Sequence, residues 1–213
     1  NSRRCVAAKT VKNRGALKLI LVTGQRPGEV AGLRKDEITG DWWTIPASRR
    51  GKTETDHAVF LTDTAKEIIA EAEAELDRLH KRRRAPWSGF YFEARPGAPI
   101  TNSALGRAVL RAGEALGDRG DADGRGRWRP HDLRRTARTG LSACKVRPDI
   151  AEIVTGHVIP GIRGVYDRHD FKDERQTALE AWESRLSRIV AGQDPDAAQA
   201  DNVVKLEGAR ANA

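Results

Sequence analysis

Apolar positions repeat with helical spacing along most of the chain, in segments separated by glycine, proline and polar residues. From Thr10 to Val22 they recur every three or four positions, which predicts a helix that ends at Gly24. A second, short helix is predicted to begin at Pro27, because proline is tolerated in a first turn. Further periodic segments predict helices over residues 62–79, 102–116, 132–141, 148–154 and 171–190.

Strand-forming residues are confined to a few short runs. The β-prone run 42–45 ends at Pro46, and a second run follows at 58–61. The polar, basic residues between these runs form the turn of a predicted hairpin, and residues 90–92 are interpreted as a brief buried strand. The predicted fold class is therefore mainly α with a small antiparallel β-sheet (α+β).

Composition divides the 213 residues into one domain and two flanking segments. Residues 1–9 are polar and basic, and we interpret them as a linker from a missing N-terminal domain, since the chain contains no Met even at position 1. Residues 10–190 form the predicted domain, and the polar residues 191–213 a tail that is disordered on its own. The buried stripe predicted for the last helix comprises Ala178, Leu179, Trp182, Leu186 and Ile189.

The charge of the chain favours a polyanionic partner. Its 38 Lys and Arg residues outnumber 30 Asp and Glu, which gives a formal net charge of +8. Arginine predominates among the cations, and its planar fork suits phosphate. No apolar run approaches the roughly 20 residues of a membrane span. Cys5 and Cys144 form neither a disulfide framework nor a zinc quartet, so a reducing cytoplasm is expected.

Four short clusters carry residues from which chemistry can be built. Arg26 lies in a glycine-flanked turn before a helix, where backbone N–H groups favour an anion. His131 and Arg134 are three positions apart and share a helix face. The other clusters are Lys52 in the predicted hairpin, and the pair Gly156-His157 with Tyr166 nine positions later. Each cluster alone is also typical of solvated polar residues, whereas their order along the chain is specific.

In that order the clusters resemble the catalytic domain of tyrosine recombinases of the phage integrase family. The resemblance covers nearly all of residues 10–190. Phe60 stands where a Pro is common and Thr155 where a Leu usually precedes Gly-His, and neither position carries a catalytic role. The residues that match the family's functional positions are Arg26, Glu29, Lys52, His131, Arg134, His157 and Tyr166.

The resemblance implies that Arg26 and Arg134 grip the scissile phosphate, that Glu29 supports the first of them, and that His157 donates a hydrogen bond to the phosphate. Negative charge develops on the non-bridging oxygens during attack, and two arginine forks suit it.

Tyr166 is the implied nucleophile. A free phenol titrates near pH ~10, so it needs a base, and His131 is that base. Lys52 is the acid for the leaving 5′-oxygen, since arginines such as Arg49 and Arg50 keep their protons near neutral pH. Tyr91, the other tyrosine, lies in a run predicted to be buried.

The implied function is site-specific DNA recombination through a 3′-phosphotyrosyl intermediate, without metal, ATP or any other cofactor. The implied partners are double-stranded DNA and further protomers, with two protomers on each DNA site and four in a synapse. No membrane partner is implied. An integrase of a mobile element is our first choice over a dimer resolvase or a transposon recombinase, by analogy.

Two other classes remain open. The pairs His131-Asp132 and His169-Asp170, with His57 or His157, are possible ligands for the metal of a phosphohydrolase or nuclease. The second open class is a DNA-binding module that catalyses no reaction.

Basic residues outside the site are candidate contacts to the DNA backbone. They are Arg49, Arg50, Arg83, Arg84, Arg127, Arg129 and Arg135. Residues 202–207 carry three apolar side chains in a polar tail, so this segment either packs on a neighbouring protomer in trans or is frayed.

Overall fold

Helices form most of the fold, in the order that the apolar pattern predicts. The computed structural model describes residues 2–51, 55–83, 87–115, 128–157 and 170–196. The helices among them are α1 (Ser2–Thr23), α2 (Pro27–Ala31), α3 (Asp63–Arg83), α4 (Asn102–Ala115), α5 (Pro130–Ala143), α6 (Pro148–Val154) and α7 (Lys172–Val190).

A three-stranded antiparallel sheet lies between α2 and α3. Strand β1 (Ile38–Thr39) pairs with β2 (Trp42–Ile45), which pairs with β3 (His57–Phe60). Pro46 ends β2 as predicted, because it cannot donate to the ladder. Strands β4 (Glu93–Arg95) and β5 (Ala98–Pro99) form a second, two-stranded sheet. The predicted fold class, mainly α with small antiparallel sheets, is confirmed.

Helix α1 is the central element of the core. Its residues Leu19 and Ile20 are fully buried, and it packs against α3, α4, α5 and α7. Helices α5 and α7 approach closely at Gly140, where an added Cβ would lie 2.1 Å from the ring of Trp182. The Trp182 indole N–H donates to the carbonyl of Leu21 at 2.9 Å. This close contact fixes α5, which carries the predicted catalytic residues His131 and Arg134.

The structure differs from the predicted elements in several places. Helix α1 begins at Ser2 rather than near Thr10, so the predicted linker is helical, while its link to another domain stays a prediction. Residue 90 forms only a single bridge with Arg34, and the strand begins at Glu93. Ile189 is 47% exposed, because periodicity identifies the face of a helix and not how far its neighbours extend.

Among the described helices, none combines the length and apolar content that crossing a bilayer requires. Of the predicted tail, residues 197–213 lie outside the described residues.

Candidate active site

A left-handed turn after α1 brings the first cluster against α5. Gly24 has a φ of +68°, which favours glycine, and a Cβ there would lie 3.4 Å from that of Ala137. The Gly24 carbonyl accepts a hydrogen bond from Nη1 of Arg134 at 2.8 Å. The turn therefore holds together the two arginines that the sequence places 108 positions apart, Arg26 and Arg134.

Arg26 stands at the N-terminus of α2 and is held by Glu29. The backbone N–H of Arg26 donates to Oε2 of Glu29 at 3.0 Å, and its Nη1 donates to Oε1 at 2.8 Å. The Glu29 side chain is 3% exposed, whereas that of Arg26 is 36% exposed. The carboxylate thus fixes one edge of the guanidinium from the protein side and leaves another edge open to solvent.

Arg134 is buried, with 3% of its surface exposed. Besides the Gly24 carbonyl, its guanidinium contacts Nε2 of His157 through Nη2 at 2.7 Å. Burial, followed by the nearby charge of Arg26, lowers the pKa of Arg134 to about 10. The side chain therefore stays positively charged at neutral pH and presents fixed donors.

His157 follows a second left-handed turn at the end of α6. Gly156 has a φ of +69°, and its carbonyl accepts from Nη2 of Arg50 at 2.7 Å and from Nη2 of Arg26 at 3.4 Å. The ring of His157 also contacts Oε2 of Glu152 through Nδ1. These contacts bring His157, Arg26 and Arg134 to one place.

Arg49 and Arg50, predicted as DNA contacts, are engaged with protein atoms. The Arg50 side chain is 4% exposed and also donates to the Thr55 carbonyl at 2.7 Å. Arg49 donates to the carbonyls of Gly32 and, at 3.1 Å, of Glu29. Burial lowers the pKa of both guanidinium groups. Their donors thus tie the hairpin to neighbouring turns.

A cleft of about 520 Å³ opens beside Arg26. It is bounded by the first turn of α2, by the hairpin, and by the starts of α4 and α5. Its polar lining residues are Arg26, Glu29, Arg49, Arg50, Asn102, Arg129 and His131. The excess of cations in this lining suits an anion such as a phosphate.

His131 lies at the entrance to α5 with an exposed side chain. The part of the imidazole that is shielded from solvent, and then the charges of Arg134 and Arg135, lower the pKa of His131 below its ordinary value. The imidazole is therefore neutral near pH 7 and able to accept a proton. Asp132, beside it, accepts from the backbone N–H of Arg129 at 2.7 Å and from Nη1 of Arg135 at 3.0 Å. Within the described ranges, no group of three His, Cys, Asp or Glu is placed to hold a metal ion.

Several predicted site residues lie outside the described residues. They are Lys52, Arg84, Arg127 and Tyr166, and nothing is described of the side chain of Arg83. Gly51, the last described residue before Lys52, borders the cleft.

Sequence reasoning missed several polar residues of the site. Gln25 is fully buried and donates from Nε2 to the carbonyls of Thr23 at 2.8 Å and Val154 at 2.9 Å. Its Oε1 lies 3.2 Å from Nε2 of His57, a histidine that the sequence suggests only as a metal ligand. The only feature of the sequence that points to Gln25 is its position next to Arg26. No such feature points to Asn102 or Glu152.

Comparison with known proteins agrees with this geometry. The model of the phage integrase family matches residues 3–173. The prophage integrase IntZ of Escherichia coli (strain K12) is 29% identical over 188 residues, which cover 87% of this chain and 42% of that protein. The chain thus spans less than half the length of this relative.

Two solved structures share the fold. The integrase from mycobacterium phage Brujita superposes with a TM-score of 0.56 at 15% identity, covering 80% of this chain and 51% of that one. The XerH site-specific recombinase bound to difH substrate, in its pre-cleavage complex, gives a TM-score of 0.52 at 21% identity, covering 85% and 45%. Together with the match over residues 3–173, the site geometry leads to one conclusion: the chain belongs to the phage integrase family.

Proposed function

We propose that this domain cuts and rejoins DNA strands at specific sites through a covalent link to Tyr166, as an integrase-type tyrosine recombinase. The observation that carries the proposal is the convergence of Arg26, Arg134 and His157 beside a cationic cleft. Family membership supports the same chemistry, and similarity to a prophage integrase favours a mobile element as its source.

The scissile phosphate binds between Arg26 and Arg134 in this proposal. Glu29 and the Gly24 carbonyl hold the two guanidinium groups before DNA arrives, so little reorganisation is needed when charge builds up on the non-bridging oxygens. His157 lies next to Arg134 and completes the contacts to the phosphate.

In the proposed reaction one proton leaves the attacking tyrosine and another reaches the leaving oxygen. The phenol oxygen of Tyr166 attacks phosphorus, its proton passes to His131, and the P–O bond to the 5′-oxygen breaks. Lys52 gives that oxygen a proton, so the products are a 3′-phosphotyrosyl link and a free 5′-hydroxyl. Attack by a 5′-hydroxyl reverses the steps, and because one phosphodiester replaces another, neither ATP nor a metal is required.

Double-stranded DNA is the proposed partner, with two protomers on each site and four in a synapse. Arg129 and Arg135 have exposed side chains at the start of α5, beside the cleft, and are proposed backbone contacts together with Arg83, Arg84 and Arg127. The segment 191–213 is proposed to pack on a neighbouring protomer, and its deletion is expected to weaken assembly on DNA. Unchanged assembly would contradict that packing.

The test traps the covalent intermediate on a suicide substrate. A DNA site from the ends of the encoding element is nicked near the cut, so that the short product diffuses away and rejoining stops. With EDTA present, we expect a protein–DNA adduct on a denaturing gel. Any longer product of the same gene is assayed in parallel, since the chain matches 42% of the length of the prophage integrase IntZ.

Two tyrosine variants make the test specific. Tyr166→Phe is expected to abolish the adduct. Tyr91→Phe is the matched control, because Tyr91 is 4% exposed and its burial, with the charge of Glu73, raises its pKa to about 12. Metal-dependent cleavage without an adduct would contradict the proposal in favour of a phosphohydrolase, and DNA binding with equal results from wild type and Tyr166→Phe would favour a binding module.

A further inference from the structure

The ring of His157 is held from both sides by groups of opposite hydrogen-bonding character. On one side, Nη2 of Arg134 lies 2.7 Å from Nε2. On the other side, Oε2 of Glu152 contacts Nδ1, and the backbone N–H of His157 donates to the Glu152 carbonyl at 2.9 Å. Glu152, in the last turn of α6, precedes His157 by five positions, so both contacts arise where α6 ends.

These contacts assign the protons of the ring. A guanidinium has donors and no acceptor, so Nε2 must be the unprotonated nitrogen that accepts from Arg134. An ionised carboxylate only accepts, so Nδ1 must carry the proton that Glu152 receives. The arrangement fits one neutral tautomer, with hydrogen on Nδ1.

Glu152 is ionised and uses both of its oxygens. Its Oε1 accepts from Nε of Arg138 at 2.9 Å, while Oε2 faces His157. Burial raises the pKa of Glu152, but the hydrogen bonds from His157 and Arg138 outweigh it and bring the pKa below the ordinary value. Both neighbours are donors, so only a group with two acceptor oxygens satisfies them together; an amide does not.

Thr155 closes the same cluster. It is fully buried, and its hydroxyl oxygen lies 2.9 Å from the carbonyl of Ala151 and 3.4 Å from Nδ1 of His157. The sequence departs from the common Leu at this position, and the structure places the additional hydroxyl beside the ring. A leucine here would supply no oxygen to Nδ1.

We propose that Glu152 is a positioning residue that fixes His157 as the Nδ1–H tautomer and thereby aims Nε2 at Arg134. His157 then orients the buried guanidinium before DNA binds. A hydrogen bond from Nε2 to the phosphate of the proposed reaction would need a proton on Nε2, which the Nδ1–H tautomer does not carry, so before DNA binds His157 acts through Arg134. This last consequence rests on the proposed recombinase function, whereas the tautomer does not.

The tautomer is measured directly on the DNA-free protein. Histidine side chains are labelled with ¹⁵N, and two-bond proton–nitrogen correlations separate a protonated Nδ1 from an unprotonated Nε2. The signal of His157 is assigned by its absence in His157→Gln. In the wild type we expect the Nδ1–H form in at least about tenfold excess. A predominant Nε2–H form in the wild type would overturn the proposal.

Glu152 variants then test the cause. We expect Glu152→Ala to lose the tenfold preference and Glu152→Gln to lose part of it, because its amide cannot accept from both Arg138 and His157. Glu180→Gln, an exposed carboxylate on α7, is the control that leaves the tautomer unchanged. An unchanged tautomer in Glu152→Ala would also overturn the proposal. Both Glu152 variants are expected to fold, since its side chain is 37% exposed.

An activity measurement connects the tautomer to the chemistry. On the suicide substrate, Glu152→Ala is expected to form the adduct about tenfold more slowly than wild type, like other carboxylates that orient a histidine. Wild-type rate in a variant whose tautomer has changed would overturn the positioning role. An inactive wild-type protein would instead contradict the recombinase function, and the NMR result would still decide the tautomer.

Discussion

Helix α5 exposes one face and buries the other, and neighbouring arginines on it behave differently. Arg134 is 3% exposed and donates to the Gly24 carbonyl, with His157 as its second partner. The side chain of Arg135 is 74% exposed and pairs with Asp132 on its own helix. Both residues are arginines, so their different environments follow from the face of the helix on which each one lies.

The physical difference lies in preorganisation. A buried guanidinium that already donates to protein acceptors keeps its geometry when an anion arrives. An exposed arginine loses side-chain entropy on binding, and solvent screens its charge. The buried face of α5 is therefore suited to stabilising the transition state of the proposed reaction, and the exposed face to long-range attraction of the proposed DNA partner.

Removing the buried arginine gives the largest expected effect. Arg134→Ala should slow adduct formation on the suicide substrate about a hundredfold or more, because one fixed donor group to the developing charge is lost. Single-turnover rates on the denaturing gel measure it, with circular dichroism to confirm folding. Arg134→Lys retains the charge without the fork and should recover only part of the rate. A wild-type rate in Arg134→Ala would remove the distinction between the two faces.

Adding a methyl group where α5 packs on α7 should disrupt the packing of the buried face and destabilise the fold. In Gly140→Ala the new methyl would lie 2.1 Å from the Trp182 ring, and we expect a loss of about 2–3 kcal/mol in the free energy of unfolding. Urea denaturation measures it. Gly106→Ala in α4 is the matched control: a Cβ there meets nothing within 4 Å, so helix propensity should stabilise it by about 0.5–1 kcal/mol. Equal effects would contradict the packing.

The buried histidine next to this face predicts a dependence on pH. Burial, then the charges of Arg50 and Arg175, lower the pKa of His57 to about 3 from an ordinary 6.5. Between those values the unfolded chain binds a proton that the folded chain does not, so stability falls as pH falls. From pH 7 to pH 5 we expect a loss of about 2 kcal/mol.

The exposed His131, whose pKa is also lowered, adds a contribution of the same sign. Urea denaturation at several pH values measures the slope, and His57→Gln should flatten it. A slope unchanged in His57→Gln would show that another group carries the effect.

Removing the exposed arginine gives the smallest expected effect. Arg135→Ala should change stability by less than about 0.5 kcal/mol and leave the rate of adduct formation nearly unchanged. If Arg135 contacts a phosphate, the slope of log affinity against log salt should decrease by about 1. Filter-binding titrations at several salt concentrations measure this slope. A cleavage defect as large as that of Arg134→Ala would contradict the comparison.

The fold was largely predictable because each helix carries its own signal. Periodic apolar residues, the start signal at Pro27 and the stop signals at Gly24 and Pro46 gave most element ends to within a few residues. The error at Ile189 arose because a helix pattern contains no information on where the neighbouring elements end. The polar helix start at Ser2 was missed because residues 1–9 lack an apolar stripe.

The candidate site was predictable as an ordered set of residue types and not as a network. The resemblance identified Arg26, Glu29, Arg134 and His157, and the structure brings them together. Arg50 was expected to face DNA, yet its side chain is buried against the Gly156 turn. The sequence does not distinguish a basic hairpin residue that faces solvent from one that contacts a neighbouring turn.

The sequence by itself determined the helices, the hairpin, the family and the order of the site residues, because these depend on local spacing and residue chemistry. Only the tertiary structure decided which arginines are buried, which nitrogen of His157 accepts, and that Glu152 and Gln25 belong to the site. Apart from the contact of Glu152 with His157, which lie five positions apart, those properties depend on groups far apart in the chain, such as Gly24 with Arg134 and Gln25 with Val154. How α1, α5 and α6 pack sets the proximity of these groups.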